Sequence, residues 1–84
     1  MPDNIAILGD LGMLLSQLGD HPRAVLFLQR AEIKGNRSPE LLYALAGSLL
    51  ATNNRVAAER VVNKLEFFYP NHPSVEQARR LFAQ

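Results

Sequence analysis

The chain of 84 residues contains no cysteine and no tryptophan, and neither sign of charge dominates. Without cysteine the protein can form no disulfide bond, no thiolate metal site and no catalytic thiol. Nine Lys and Arg residues against eight Asp and Glu residues give a formal net charge of +1. This is too small for the positive field that attracts a phosphate backbone, so we do not expect a nucleic-acid ligand.

Long apolar runs are also missing. The apolar stretch near the amino terminus is interrupted by Gly9, Asp10 and Gly12, and no basic residue precedes it. A signal peptide needs a basic segment before a continuous apolar one, and a transmembrane helix needs about 20 apolar residues. We therefore expect no membrane association and a cytoplasmic location.

Residues suited to catalysis or metal binding are few. His21 and His72 each precede a proline in a turn, and no acid, base or nucleophile is spaced to join them. A zinc site needs three or four ligands at a recognisable local spacing, which this sequence lacks. We therefore predict that the protein is not an enzyme and has no metal and no cofactor.

Helix start and stop signals divide the chain into five segments. Asp3, Asp20 and Ser38 are suited to cap the first three helices, and prolines follow closely on the second and third caps. The predicted helices span about 4–18, 21–34, 39–52, 55–69 and 73–84. Apolar residues recur at spacings of three and four, and no strand pattern is present. The sequence thus predicts an all-α fold of two antiparallel helix pairs followed by a fifth helix.

The two predicted helix pairs repeat with a period of 34 residues. Matching positions are Leu8 and Leu42, Leu11 and Leu45, Gly12 and Ala46, Leu15 and Leu49, and Ala24 and Ala58. Similarity at a fixed period is typical of stacked units, each of which buries its apolar face against a neighbour. Small residues such as Gly12 and Ala46 are expected to let paired helices approach closely.

On these residues the chain resembles the tetratricopeptide repeat (TPR) family. That family has a Leu–small pair between large apolar residues on the first helix of each repeat, and alanines around a large residue on the second. The resemblance covers repeats 5–38 and 39–72 and a capping helix 73–84, although Asn36 stands where the family has proline and Leu65 where it has a small residue. It implies one TPR-like module, residues 1–84, forming an α-α superhelix that binds another protein.

The resemblance also implies a partner-binding groove along the first helices of successive pairs. The positions concerned are Ala6, Gly9, Met13, Ser16 and Gln17, then Glu40, Tyr43, Gly47, Leu50 and Ala51, and finally Gln77 and Leu81. None of them is the Lys, Asn or Arg with which peptide-binding members hold a terminal carboxylate. We therefore expect an apolar segment of a partner, either an amphipathic helix or an extended peptide.

The two ends of the chain differ in what they leave uncovered. Leu41 lies one period after Ile7, and Val75 lies one period after Leu41. Leu41 and Val75 are each expected to pack on the helix pair before them. Phe82 should pack in the same way, but Ile7 and Leu14 have no pair before them. Such an apolar face predicts a partner helix, a homodimer, or a preceding repeat that this sequence does not include.

We predict from these observations a protein–protein interaction module that acts as a small chaperone or adaptor. Its length, two repeats and apolar groove look like the short cytoplasmic chaperones of bacterial type III secretion, which sequester export subunits before assembly. A homodimeric structural subunit and a fragment of a longer TPR scaffold are the alternatives. The identity of the partner is not encoded in these features.

Overall fold

The computed structural model describes residues 4–83, and this part of the chain is all-α. Its helices are α1 (Ile5–Gln17), α2 (His21–Ile33), α3 (Pro39–Ala51), α4 (Arg55–Phe68) and α5 (Pro73–Phe82). Residues 4–83 contain no strand, so the prediction of an all-α fold is confirmed. The predicted helices agree with the observed ones to within two residues at each end that the structure describes.

Side chains at the helix starts satisfy backbone N–H groups that have no partner inside the helix. The side chains of Asp20 and Ser38 cap α2 and α3, as predicted. The Asn4 side chain caps α1 by accepting from two backbone N–H groups, at 2.9 and 3.2 Å. The predicted cap, Asp3, lies outside the described residues, and the observed cap is its neighbour. At α5 the imidazole of His72 serves as the cap.

Residues in the left-handed region end three of the helices. Gly19 and Gly35 follow α1 and α2 with φ of +83° and +108°, and Asn53 follows α3 with φ of +64°. Glycine and asparagine adopt this conformation more readily than other residues, which makes them common just after a helix. The turns are therefore short, and consecutive helices run antiparallel.

The helices pack in chain order, α1 on α2, α2 on α3 and α3 on α4, and α5 packs on both α3 and α4. Because α3 also touches α1, the helices α1, α3 and α5 lie side by side. The core is made of leucine, valine and alanine side chains from all five helices: Leu8, Ala24, Leu28, Ala31, Leu41, Leu42, Leu45, Ala46, Leu49, Ala58, Val61, Val62, Leu65 and Ala78.

A glycine allows the close approach of α1 and α2. A Cβ atom added to Gly12 would lie 2.7 Å from both Cγ and Cδ2 of Leu28, nearer than real Cβ contacts allow. One period later, Ala46 and Val62 are both fully buried. The first pair thus combines glycine with leucine where the second combines alanine with valine, so a smaller residue on one helix accompanies a larger one on the other.

Candidate functional site

The helices α1, α3 and α5 surround an open cavity of about 450 Å³, called the groove below. Its lining combines apolar side chains with a polar rim and is made of Met13, Ser16, Gln17, Glu40, Tyr43, Ala44, His72, Pro73, Ser74 and Gln77. Met13 and Tyr43 are each half-buried and pack against the core on one side, so their remaining surface faces the groove. The lining contains no Lys or Arg.

The structure brings together several of the residues that the TPR resemblance placed in a groove. Met13 and Gln17 from α1, Tyr43 from α3 and Gln77 from α5 all line the one cavity. Ser16 and Glu40, named on the same grounds, also line it. Residues separated by about 60 positions in the sequence thus share a surface because α3 lies between α1 and α5.

Gly9 does not line the groove, which corrects the prediction for this residue. It is buried, and a Cβ atom added to it would lie 3.0 Å from Nδ2 of Asn36 and 3.3 Å from Cδ1 of Leu41. Gly9 therefore lies where α1 meets the loop before α3 and the start of α3. Its missing side chain allows that contact, and it offers no surface to a partner.

Five further predicted groove residues lie outside the cavity lining, namely Ala6, Gly47, Leu50, Ala51 and Leu81. Gly47 is next to Leu81, since a Cβ atom added to it would lie 3.8 Å from Cδ1 of that leucine. Leu50 is half-buried and packs against the core. Ala6 and Ala51 are exposed. Gly47 and Leu81 therefore belong to the contact between α3 and α5 rather than to the groove.

The sequence reasoning did not place the turn at the start of α5 in the groove. Nδ1 of His72 accepts a hydrogen bond from the backbone N–H of Ser74 at 3.1 Å and lies 2.7 Å from its hydroxyl oxygen. These contacts hold the imidazole at the groove wall, beside Pro73. The His–Pro pair signals a helix start, but no sequence signal shows that this start faces α1 and α3.

A buried hydroxyl joins α1, α2 and α3 behind the groove. Ser48 on α3 is fully buried and donates to Oγ of Ser16 at 3.1 Å. Nδ1 of His21 lies within hydrogen-bond distance of Oγ of Ser48, at 3.0 Å. Because Ser16 also lines the groove, this network holds one groove wall against the second helix pair. His21 thus has a partner in the fold.

The second candidate surface is the side of the first helix pair that faces away from the rest of the molecule. Ile7 and Leu14 on α1 are 50% and 51% exposed, whereas Leu41 and Ser48, one period later on α3, are completely buried. The predicted exposure of Ile7 and Leu14 is thus observed in the structure. Both leucine-rich helices have the same apolar pattern, but within residues 4–83 a helix pair precedes α3 and none precedes α1.

Further side chains extend this surface, which we call the amino-terminal face. Leu45, Leu49, Ala57, Arg60, Val61 and Lys64 of the second pair line a junction with Gln29 and Glu32 of α2. The residues one period earlier are Leu11, Leu15, Arg23, Leu26, Phe27 and Arg30. Each of these is half-buried or exposed. The amino-terminal face therefore consists of Ile7, Leu11, Leu14, Leu15, Arg23, Leu26, Phe27 and Arg30.

Other chemistries find little support in the described part of the chain. Between residues 4 and 83, no three His, Cys, Asp or Glu side chains are grouped so that they could hold a metal ion. None of the five described helices is long and apolar enough to cross a lipid bilayer.

Comparisons of the chain with profiles of known protein families, with curated proteins and with solved structures found no match.

Proposed function

We propose that the chain is a TPR-type module that binds an apolar segment of another protein in its groove. The 34-residue period, the antiparallel pairing of α1 with α2 and of α3 with α4, and the side-by-side placement of α1, α3 and α5 support this assignment. Stacked repeat units commonly use such extended surfaces for binding. Under this proposal α5 caps the second repeat.

The observation that carries the proposal is the character of the groove lining. Met13 is flexible and polarisable, and Tyr43 offers a broad apolar ring with a polar end, which are properties of adaptable binding surfaces. Glu40 is the one charged side chain of the lining, so the groove favours a neutral or basic segment over a terminal carboxylate. The expected ligand is the apolar face of an amphipathic helix or an extended apolar peptide.

A chaperone or adaptor role suits these properties better than catalysis. A chain of 84 residues is expected to have a free energy of unfolding on the order of 4 to 12 kcal/mol. Binding a partner at saturating concentration would add a few kcal/mol to that value, because only the folded state binds. The proposed role is to shield an apolar segment of a partner before assembly, as in the short chaperones of bacterial type III secretion.

Affinity capture from the native host tests the groove. Met13→Glu and Tyr43→Glu each place a carboxylate among apolar contacts, which should weaken binding by about tenfold or more. The matched control is Val56→Glu, because Val56 is an exposed apolar residue on α4 outside the groove lining. We expect mass spectrometry to identify a partner with the wild type and with Val56→Glu, and to lose it with both groove variants.

Circular dichroism of each variant ensures that only folded proteins are compared. If both groove variants retain the partner at the level of the Val56→Glu control, the groove is not its binding site. If both groove variants lose the partner and also lose helical structure, the affinity for the partner is measured with the milder variant Met13→Gln. This variant removes apolar contact without adding charge. Unchanged affinity of Met13→Gln would contradict the proposal.

The amino-terminal face supports a second candidate function, a homodimeric structural subunit. Its exposed apolar side chains could be buried against a second copy of the chain. Sedimentation velocity over a hundredfold range of concentration tests this function. A dimer that Leu14→Asp converts to a monomer would favour the structural role, whereas a monomer at every concentration would exclude it.

A further inference from the structure

The two junctions between successive units in this chain share one layout. At the first, His21 near the start of α2 contacts Ser48 on α3. At the second, Arg55 near the start of α4 donates to the backbone carbonyl of Phe82 on α5 at 3.0 Å, and its guanidinium lies 5.0 Å from the Phe82 ring centroid. Arg55 and Phe82 are each one period after His21 and Ser48. The second helix of a pair thus meets the next helix in the same register twice.

An ion pair closes each junction at its other end. Glu32, in the last turn of α2, lies 3.0 Å from Nζ of Lys64 on α4. Glu66, one period after Glu32 and near the end of α4, pairs with Arg79 on α5. In both cases a carboxylate near the end of the earlier helix meets a cation of the following unit. The two carboxylates are one period apart, whereas the two cations are not equivalent, because Lys64 is on α4 and Arg79 is on α5.

The amino-terminal face has the receiving half of this layout. Ile7 and Leu14 are one period before Leu41 and Ser48, which α2 covers. Arg30 is one period before Lys64, which pairs with Glu32. The Arg30 guanidinium lies 5.9 Å from the Phe27 ring centroid, and no carboxylate between residues 4 and 83 forms an ion pair with it. Within residues 4–83 the face therefore lacks both the apolar cover and the acidic partner that the second pair has.

The direction of a covering helix also follows from the first junction. The start of α2 is at Ser48, near the end of α3, while Gly9 lies close both to Ala31, near the end of α2, and to Leu41, near the start of α3. α2 therefore runs antiparallel to α3. A helix in the same register on the amino-terminal face would run antiparallel to α1, with its last turn next to Ile7 and Arg30.

We propose that the amino-terminal face docks an amphipathic α-helix of a second protein, antiparallel to α1, with an apolar seam on Ile7 and Leu14 and a carboxylate in its last turn on Arg30. This inference rests on the proposed protein-binding function and adds a second surface and a partner chemistry to it. A second copy of the chain is disfavoured as the occupant.

The surface that could supply such a helix is also used within each copy. The side of α2 that carries Glu32 already covers the second pair, and the side of α4 that carries Glu66 contacts α5. Stacking one copy on another in the observed register would require α5 to leave its place. A separate protein with an acidic amphipathic helix meets the requirements without any rearrangement.

Two synthetic helical peptides test the inference on the intact chain. They share one leucine seam at i, i+3, i+4 and i+7 spacing and differ only in the last turn, which carries two Glu residues in one peptide and two Lys residues in the other. Fluorescence anisotropy should show the Glu peptide binding about three- to fivefold more tightly, as expected for a partly exposed ion pair. The variant Arg30→Glu should reverse that preference.

Three further variants separate the amino-terminal face from the groove. Leu14→Asp should weaken both peptides by about tenfold or more, because it places a carboxylate under the apolar seam. Val56→Asp, the same type of change at an exposed site on α4, should leave both affinities unchanged. Met13→Glu should leave the preference for the Glu peptide unchanged and should remove any binding of either peptide to the groove, so failure of the groove proposal and failure of this one give different results.

Several outcomes would overturn the inference. Equal affinities of the two peptides, or a preference that Arg30→Glu does not alter, would contradict the proposal that a carboxylate of the partner pairs with Arg30. Undiminished binding to Leu14→Asp would place the peptides elsewhere. A dimer of the unliganded chain that Leu14→Asp dissociates would identify a second copy as the occupant. A longer native chain in which a preceding helix covers Leu14 would identify that helix instead.

Discussion

The first and second helix pairs carry nearly the same apolar pattern but bury it to different extents. On α3 the residues Leu41, Leu42, Leu45 and Leu49 are all buried, whereas α1 buries Leu8 as its one large side chain. The helix α3 packs against α1, α2, α4 and α5, and among the described helices α1 packs against α2 and α3 alone. The comparison teaches that one sequence pattern yields a core helix or a partly exposed helix according to its neighbours.

This difference in burial has consequences for local stability. In stacked units the total stability is approximately a sum of unit stabilities and of the interfaces between neighbours. The second pair has an interface on both sides, with the first pair and with α5, but the first pair has one. We expect α1 to open at a lower free energy than α3, which hydrogen exchange can measure.

The largest effect that could break this comparison comes from a matched pair of leucine truncations. Leu45→Ala should lower the free energy of unfolding by about 2 to 5 kcal/mol, because Leu45 is fully buried and a cavity would remain. Leu11→Ala, one period earlier at a half-buried site, should lower it by about 1 kcal/mol. Urea denaturation followed by circular dichroism measures both. Equal losses would mean that the two pairs are covered to the same extent.

A smaller effect is expected at the crossing of α1 and α2. Gly12→Ala should cost about 1 to 2 kcal/mol, since crowding against Leu28 outweighs the gain in helix propensity. The second pair has alanine and valine at these positions, so adding Leu28→Val should recover part of the loss. A double-mutant cycle measures the coupling, expected to be about 0.5 to 2 kcal/mol. Additive losses would show that the two residues do not compensate one another.

The smallest expected effect on the free energy of unfolding concerns the equivalent positions Lys64 and Arg30. Glu32→Gln removes the ion pair with Lys64, in which the two side chains are 18% and 35% exposed, and should cost about 0.5 to 1 kcal/mol. Arg30→Gln, at the position of Lys64 in the first pair, should change the free energy of unfolding by less than about 0.5 kcal/mol. Urea denaturation at low salt and at 1 M NaCl measures both, and the Glu32→Gln loss should shrink at high salt. A loss for Arg30→Gln as large as that for Glu32→Gln would reveal an ion pair at Arg30.

Most of the helical architecture was predictable because its signals are local. Asp20 and Ser38 cap their helices, and Gly19 and Gly35 end the helices before them, through interactions within a few residues. The cap of α1 shows how imprecise such signals are, since Asn4 caps the helix next to the predicted Asp3. Neighbouring polar residues offer similar cap chemistry, and backbone geometry chooses between them.

The candidate site was predictable in part. Met13, Gln17, Tyr43 and Gln77 share the groove because the repeat spacing places them on one side of successive first helices. Gly9 was assigned to the groove wrongly, because its rotation around α1 directs it to the start of α3. The His72 turn was missed, since the packing of α5 on α3 and α4 decides where it lies.

By itself the sequence determined the five helices, their 34-residue period and the small residues at the helix crossings, because caps, turns and spacing act over a few residues. Only the tertiary structure decided that Gly9 lies in a junction and that His72 lies in the groove. Their placement depends on which surfaces meet, and those surfaces come from residues far apart in the sequence, such as His21 and Ser48 at 27 positions and Glu32 and Lys64 at 32. Ile7 and Leu41 occupy equivalent positions of the repeat, but Ile7 is half exposed and Leu41 is buried. The difference arises because α2 packs on α3.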